Sequence, residues 1–176
     1  MARNIEVKAR ISSVEALLPL ATALAGTDAE LIQQDDTFFT VPHGRLKLRE
    51  FADGSAELIH YHRADTAQAK ASDYVRTPVP DAAALRQALQ RACGLQGRVQ
   101  KQRWLVIVQE QGYCTRVHLD RVEGLGDFME LEVVLIEGQT DAQGAAMADR
   151  LMARLGLAVA PTLAGSYLDL LSTQGA

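Results

Sequence analysis

The sequence predicts an α+β fold built around an antiparallel sheet or barrel. Segments with the period-two alternation of strands dominate the chain, and most are joined to the next by a short turn signal. Helical patterns are few and interrupt the strands rather than alternating with them. With 176 residues the chain has single-domain size, and one domain over 1–176 is expected.

The elements follow in order. Over residues 3–11, Ile5, Val7, Ala9 and Ile11 alternate with Asn4, Glu6, Lys8 and Arg10, which marks a strand. Ser12 with Glu15 reads as a capping box, and Leu17, Leu18 and Leu24 among alanines carry a short helix to Gly26, with Pro19 awkward inside it. Strand-like segments follow at about 30–41, 45–52, 56–63 and 71–78, turned by His43-Gly44 and Asp53-Gly54. Asp81 caps a helix running through Cys93 and closed by Gly94. Three more strands fit 97–110, 113–123 and 128–137, separated by Gly112 and by a tight turn at Gly124 and Gly126. Ala146, Met147, Leu151 and Leu155 give a helix over 141–155 ended by Gly156, and a last short helix spans 163–171.

Composition narrows the function. Hydrophobic residues are 48% and charged residues 23%, enough for a packed core, so disorder does not describe the chain. The longest apolar stretch, Ala16 to Ala25, is broken by Pro19 and is shorter than the roughly 20 residues of a membrane helix. Cys93 and Cys114 lie far apart in no metal or redox spacing, and no signal-peptide core opens the chain, so a cytoplasmic protein with no membrane partner is expected. The net charge of −4 argues against nucleic acid as a partner held by bulk charge.

Where the charges sit is more informative. Arg45, Lys47 and Arg49 share a strand face, as do Glu57, Ile59, Tyr61 and Arg63. Lys101 and Arg103 are matched by parity, as are Arg116, His118 and Asp120, and Glu130 and Glu132 oppose Met129, Leu131, Val133 and Leu135. A half-wet antiparallel sheet produces this alternation with no function attached. Here, however, basic positions occupy the central strands and carboxylates the first and last, whereas solvated faces mix signs as cross-strand pairs. The alternative is a barrel whose lumen holds the charges and hosts a polyanion, since buried unpaired cations cost several kcal/mol each. Glu6, Glu130 and Glu132 are hard oxygen ligands suited to Mg²⁺ or Mn²⁺. A divalent cation facing a row of Arg and Lys grips phosphate chains. Lys8, crowded by other cations, is expected to have a lowered pKa and to assist proton transfer as a catalytic group. His60, His62 and His118 are not spaced as a zinc site and suit surface or pocket-wall roles, while Trp104, opposite Arg103, belongs under a helix.

These residues resemble the CYTH family, the triphosphate tunnel metalloenzymes. The family's opening Glu-x-Glu-x-Lys strand corresponds to Asn4-Ile5-Glu6-Val7-Lys8, its Asp-Thr-Tyr-Phe segment to Asp36-Thr37-Phe38-Phe39, and its basic strand to Gly44-Arg45-Leu46-Lys47-Leu48-Arg49-Glu50. Arg116-Val117-His118-Leu119-Asp120 followed by Val122-Glu123-Gly124-Leu125-Gly126-Asp127-Phe128-Met129-Glu130-Leu131-Glu132 is similar to the family's carboxyl half. The resemblance implies an eight-stranded antiparallel closed tunnel barrel with flanking helices. It implies Glu6, Glu130 and Glu132 as ligands of Mg²⁺ or Mn²⁺, with Asp120 as a further one. It also implies Lys8, Lys47, Arg49, Arg63, Lys101, Arg103 and Arg116 as triphosphate-binding groups, joined on parity by Arg10 and Arg45. The carboxyl half and residues 63–74 resemble the class IV adenylate cyclase branch, which puts Lys70 or Ser72 near the substrate. The implied reaction is ATP to cyclic AMP and pyrophosphate. The alternatives are an inorganic tripolyphosphatase or an organic triphosphatase, and a noncatalytic polyphosphate- or nucleotide-binding protein. The exposed sides of the helices at 81–93 and 141–155 leave room for a homodimer contact. Two departures stand out: Asn4 replaces a carboxylate, and Phe38 and Phe39 lack the tyrosine hydroxyl that thiamine triphosphatases carry there.

Overall fold

Each of eight strands has a hydrogen-bonded neighbour on both sides, which closes the sheet into a barrel with no free edge. The computed structural model describes residues 2–63 and 70–174. In chain order the elements are β1 (Ala2–Arg10), α1 (Val14–Ala25), β2 (Glu30–Phe39), β3 (Arg45–Phe51), β4 (Ala56–Arg63), β5 (Lys70–Pro78), α2 (Ala82–Cys93), β6 (Leu95–Glu110), β7 (Tyr113–Val122), β8 (Gly126–Leu135), α3 (Asp141–Arg154) and α4 (Tyr167–Gln174). Round the barrel the strands run β1-β5-β4-β3-β2-β6-β7-β8, every neighbour antiparallel, and β8 returns to β1. The expected α+β class and eight-stranded closed barrel are what the chain forms.

The period-two pattern sorts the two faces of this wall, and the apolar one points outward. Ile5, Val7 and Ala9 of β1, Val106 and Val108 of β6, Val117 and Leu119 of β7, and Met129, Leu131 and Val133 of β8 pack with α1 and α3 in one core. α1 lies on β6 and β7, and α3 on β8 and β1, so the two helices roof about half of the barrel. Trp104 joins the edge of this core, as its parity implied. A smaller core of Phe39, Leu48 and Ala56 lies under α2. A third, of Phe38, Val99, Val122, Leu125 and Phe128, receives Tyr167 and Leu168 of α4. Among the described residues, no helix is long and apolar enough to cross a membrane.

Several local expectations are corrected. The cap of α1 is Ser13 rather than Ser12: Ser13 is extended and its Oγ accepts the amide of Ala16 at 3.1 Å. The Glu15 carboxylate, in the first turn, accepts from Arg121 at 2.8 Å. Pro19 does sit inside α1, which runs on to its Gly26 cap as expected; it is exposed, as is Glu15, whose carbonyl loses the helical partner. The last helix begins at Tyr167, not near 163. Asp169 Oδ2 accepts both the amide and the hydroxyl of Ser166 (2.6 and 2.8 Å), and the Asp169 amide donates back to Ser166 Oγ at 3.2 Å. The preceding residues instead form a strap along β1, with Thr162 bridging Ala9 and the Leu163 amide donating to the Lys8 carbonyl at 2.8 Å. β8 starts two residues early because the turn at Gly124 and Gly126, both at positive φ, pairs Gly126 directly with Val122.

Candidate functional site

The polar face of the wall encloses a cavity of about 400 Å³. Its basic side consists of two modules of the same design. Within a strand, Lys-x-Arg sends both side chains to one face; in Lys47/Arg49 and Lys101/Arg103 that face is the lumen. Each module has an aspartate directly across from its arginine on the next strand, Asp36 opposite Arg49 and Asp120 opposite Arg103. Arg49 donates to Asp36 through Nε at 2.6 Å and Nη2 at 2.7 Å, and Lys47 Nζ donates at 2.9 Å. In the other module Arg103 donates to Asp120 through Nε and Nη2, both at 2.6 Å, and Lys101 Nζ donates at 2.9 Å. Because β2 and β6 are neighbours, the two modules lie side by side. One aspartate makes each buried guanidinium tenable, yet each module keeps an excess cation.

That excess shows in the titration of the lysines. Burial, then the charge of Arg103, outweighs Asp120 and brings Lys101 down to about 7. Burial, then Arg49, brings Lys47 down to about 8 against the pull of Asp36. Burial opposes ionisation of Asp36 and Asp120, but the cations clamped to them hold both carboxyls well below the usual range.

The acidic side spans β1, β8 and β7. Glu6 stands across from Glu132 and Lys8 across from Glu130, while Arg116 and His118 face the same two glutamates from β7. Lys8 Nζ is 3.6 Å from Glu130, Arg103 Nη2 donates to Glu130 at 3.0 Å, and Arg116 Nη1 donates to Glu132 at 3.2 Å. Burial opposes ionisation of Glu130, but Lys8, Arg103 and Lys101 keep it far below its ordinary pKa. Glu132 is pushed up by burial first and then by the neighbouring charges of Glu130 and Glu6, against Arg103 and Arg116. His118 is fully enclosed here; burial, then Arg103, holds the imidazole well below its ordinary pKa and therefore neutral. His118, Glu130 and Glu132 can each offer a ligand atom, all within 4.8 Å of one another. Three buried polar atoms of the cavity wall have no hydrogen-bond partner: Gln34 Oε1 on the basic side, and Asn4 Oδ1 and His118 Nδ1 on the acidic side. Mutually repelling carboxylates beside unsatisfied oxygen and nitrogen atoms form a donor set that fits a divalent cation.

The remaining expected residues divide. Arg10 is exposed, stacks over Phe128 with its guanidinium 4.6 Å from the ring centre, and donates to the Leu125 carbonyl at 2.6 Å, outside the cavity. Arg45 reaches Asp169 of α4 at 2.9 Å and does not line the cavity. Asp120 is sealed behind the wall, its oxygens taken by Lys101, Arg103 and the Tyr167 hydroxyl at 2.9 Å. Ser72 is buried at the cavity wall, across from Asn4. Arg63 and Lys70 hold register positions opposite Ser72 and Glu6, but their side chains, like the segment 64–69, lie outside the described residues. The expected segregation of charge is incomplete, because Asp36 and Asp120 sit among the cations as their counter-charges.

Sequence reasoning missed Tyr167. Its ring lies under Lys8 at 4.0 Å and Lys101 at 4.9 Å, and with Ser166 it lines the cavity. It comes from a helix far along the chain, and no local pattern signals it. The lining also has apolar groups: one inward position past Arg103 and Arg49 come Leu105 and Phe51, with Ile32 on the strand between them, whereas Ile59 and Tyr61 stand across from Lys47 and Arg45.

A family model for the CYTH domain matches residues 2–167. The chain belongs to the CYTH family. Members of this family are enzymes acting on triphosphates, and a basic lumen facing an acidic wall is the arrangement such chemistry uses. No curated protein matches the chain. Among solved structures, the PH1012 protein of Pyrococcus horikoshii is similar at 23% identity and TM-score 0.80, with 96% of this chain and 99% of that one covered. A conserved hypothetical protein of Pyrococcus furiosus is similar at 21% identity and TM-score 0.79, covering 95% and 99%. A Vibrio parahaemolyticus protein provisionally described as an adenylate cyclase is similar at 20% identity and TM-score 0.76, covering 96% and 97%. At these identities the likeness carries the fold alone.

Proposed function

We propose that this CYTH protein is a divalent-metal-dependent enzyme for a nucleoside triphosphate, converting ATP to cyclic AMP and pyrophosphate. One observation carries the reading: the cavity joins two Lys-Arg modules and a glutamate wall to an apolar section of Ile32, Phe51 and Leu105. Inorganic tripolyphosphate has no use for that apolar section, whereas a base and sugar do.

In this reading Lys47, Arg49, Lys101, Arg103, Lys8 and Arg116 hold the phosphate oxygens, and Arg63 is a further candidate by register. Glu6, Glu130 and Glu132 hold the cation, Mg²⁺ or Mn²⁺, which when bound neutralises charge on the phosphate oxygens. The ribose 3′-hydroxyl attacks the α-phosphorus, its proton passing to the uncharged form of Lys101, and the bond from that phosphorus to the pyrophosphate oxygen breaks. The protein's part is alignment and a preorganised cationic lining for the leaving pyrophosphate. Lys8 and Lys101 are the two ammonium groups over Tyr167. Lys101, with a pKa brought to about 7, exchanges a proton readily near neutrality. Asp36 and Asp120 act one step back, keeping the cations ionised and pointed into the lumen. The cytoplasm, where ATP and Mg²⁺ abound, is the proposed location.

The test is incubation with ATP or tripolyphosphate and Mg²⁺ or Mn²⁺, resolving cyclic AMP and pyrophosphate from orthophosphate. Cyclic AMP formation lost in Glu130→Gln supports the cyclase; orthophosphate alone makes the protein a triphosphatase. Asn4 favours a second reading, a noncatalytic polyphosphate or nucleotide binder, because an amide oxygen is a weaker ligand than a carboxylate. Binding of ATP without any turnover in either metal selects that reading.

A further inference from the structure

We propose that His118 is a nitrogen ligand of the cation held at the Glu130–Glu132 wall, giving a site that prefers Mn²⁺ and later transition ions to Mg²⁺. The inference rests on the reading of this wall as a metal site and adds a ligand of a different chemical kind. His118 is only 3% exposed, and its Nδ1 has no hydrogen-bond partner. A buried core histidine ordinarily finds a partner for each ring nitrogen. Here the nearest acceptors, Glu132 Oε1 at 3.7 Å and Glu130 Oε2 at 4.0 Å, are too far for a hydrogen bond.

Those separations do suit a shared ion. Two ligands bound at about 2.1 Å lie about 3 Å apart when adjacent and about 4.2 Å apart when opposite. The observed 3.7 and 4.0 Å fall inside that range, and the 4.8 Å spread of the group closes with a small rotation of one glutamate. Register explains the aim: His118 stands across from Glu130 on the neighbouring strand, with its side chain on the lumen face. The other inward groups of β7 are otherwise engaged, Arg116 with Glu132 and Asp120 with Lys101 and Arg103. Imidazole is a poor ligand for Mg²⁺, which keeps oxygen donors and water, and a good one for borderline transition ions.

The experiment adds Mn²⁺ to the full chain without nucleotide, measuring affinity by electron paramagnetic resonance and nitrogen coordination by electron spin-echo modulation. Bound Mn²⁺ carrying ¹⁴N modulation of a coordinated imidazole is expected, with the modulation absent in His118→Gln and Mn²⁺ affinity reduced at least about tenfold. Mg²⁺ affinity, read by competition, should change much less. Should His118→Gln not fold, labelling wild-type histidine with ¹⁵N tests the same bond, because the modulation must convert to the ¹⁵N pattern. Glu130→Gln assigns the signal to this wall by removing it. Bound Mn²⁺ without nitrogen modulation, or modulation surviving in His118→Gln, overturns the inference while leaving a carboxylate metal site intact. No Mn²⁺ binding at all overturns both the inference and the metal-enzyme reading beneath it.

Discussion

Replacing Asp120 with asparagine keeps the shape of the side chain and removes the charge shared by Lys101 and Arg103. Asp120 is fully buried and accepts three N–H bonds of 2.6–2.9 Å plus the Tyr167 hydroxyl. Arg103 retains Glu130 at 3.0 Å, but Lys101 loses its carboxylate. Breaking a buried ion pair from one side costs about 3–5 kcal/mol, because the surviving charge is left in a poor solvent. That is a large part of the roughly 5–15 kcal/mol holding a domain together. At about 2–4 °C per kcal/mol for a chain of this length, Tm should fall by about 6–20 °C. Protonation sharpens the expectation. Lys101 already titrates near 7, so above that pH it sheds its charge and part of the penalty disappears. The loss should therefore be larger at pH 6 than at pH 8. Tripolyphosphate, whose oxygens can replace the missing carboxylate, should recover more stability in Asp120→Asn than in the wild type. Urea unfolding at both pH values, with and without tripolyphosphate, measures all three effects. A loss below about 1 kcal/mol at pH 6, or a larger loss indifferent to both pH and polyphosphate, refutes the electrostatic argument, since a packing defect alone behaves that way.

Other outcomes follow from the same geometry. Tripolyphosphate affinity should weaken from pH 6 to pH 9 as Lys101 and Lys47, with pKa values near 7 and 8, lose their charge, and binding near pH 8 should take up protons, read by calorimetry in buffers of different ionisation enthalpy. Asp36 and Asp120 have lowered carboxyl pKa values, so their stabilisation is complete above about pH 5 and drains as the pH falls below about 4; acid unfolding should be shallower in Asp36→Asn than in the wild type. Gly144→Ala should destabilise by about 1–3 kcal/mol despite its better helix propensity, because the new Cβ would stand 2.7 Å from Ile5 Cγ1 and 2.8 Å from Leu135 Cδ2; unchanged thermal stability would contradict the close packing of α3 on the barrel. Thr140→Ala removes the capping box of α3 and should cost about 1 kcal/mol in urea unfolding, with activity retained.

What the sequence revealed was what a strand writes locally. Parity along 47–49, 101–103 and 130–132 assigned the lumen face correctly, because side-chain direction alternates whatever the strand pairs with, whereas Arg45 shares that parity but reaches Asp169 instead. Pairing itself is nonlocal. Asp36 was visible as a motif residue, but only the β2–β3 register sets it against Arg49, and Asp120 was similarly read as a metal ligand before its place opposite Arg103 was known. Arg10 shared the parity of Glu6 and Lys8 but lies at the end of β1, where the wall stops. His118 had the parity of Arg116, yet nothing in a lone histidine indicates two glutamates across the next strand. Tyr167 is the extreme case, brought to Lys8 by a strap whose Leu163 amide donates to the Lys8 carbonyl and whose Gly165 carbonyl accepts from Lys8 Nζ at 3.5 Å.

Glu6 and Glu132 meet where the first strand of the barrel joins the last, at the seam that turns a curved sheet into a ring. Forming this seam brings together segments from nearly opposite ends of the chain, the entropically slowest kind of contact to make. It also sets two carboxylates face to face, with like charges directly opposite. The seam thus carries a like-charge pair beside the Lys8–Glu130 pair, and an ion of charge +2 lodged there would knit β1 to β8 as a rivet. Chelation should then loosen the ring at that joint first, so that hydrogen exchange in β1 and β8 accelerates ahead of the β2–β3 hairpin.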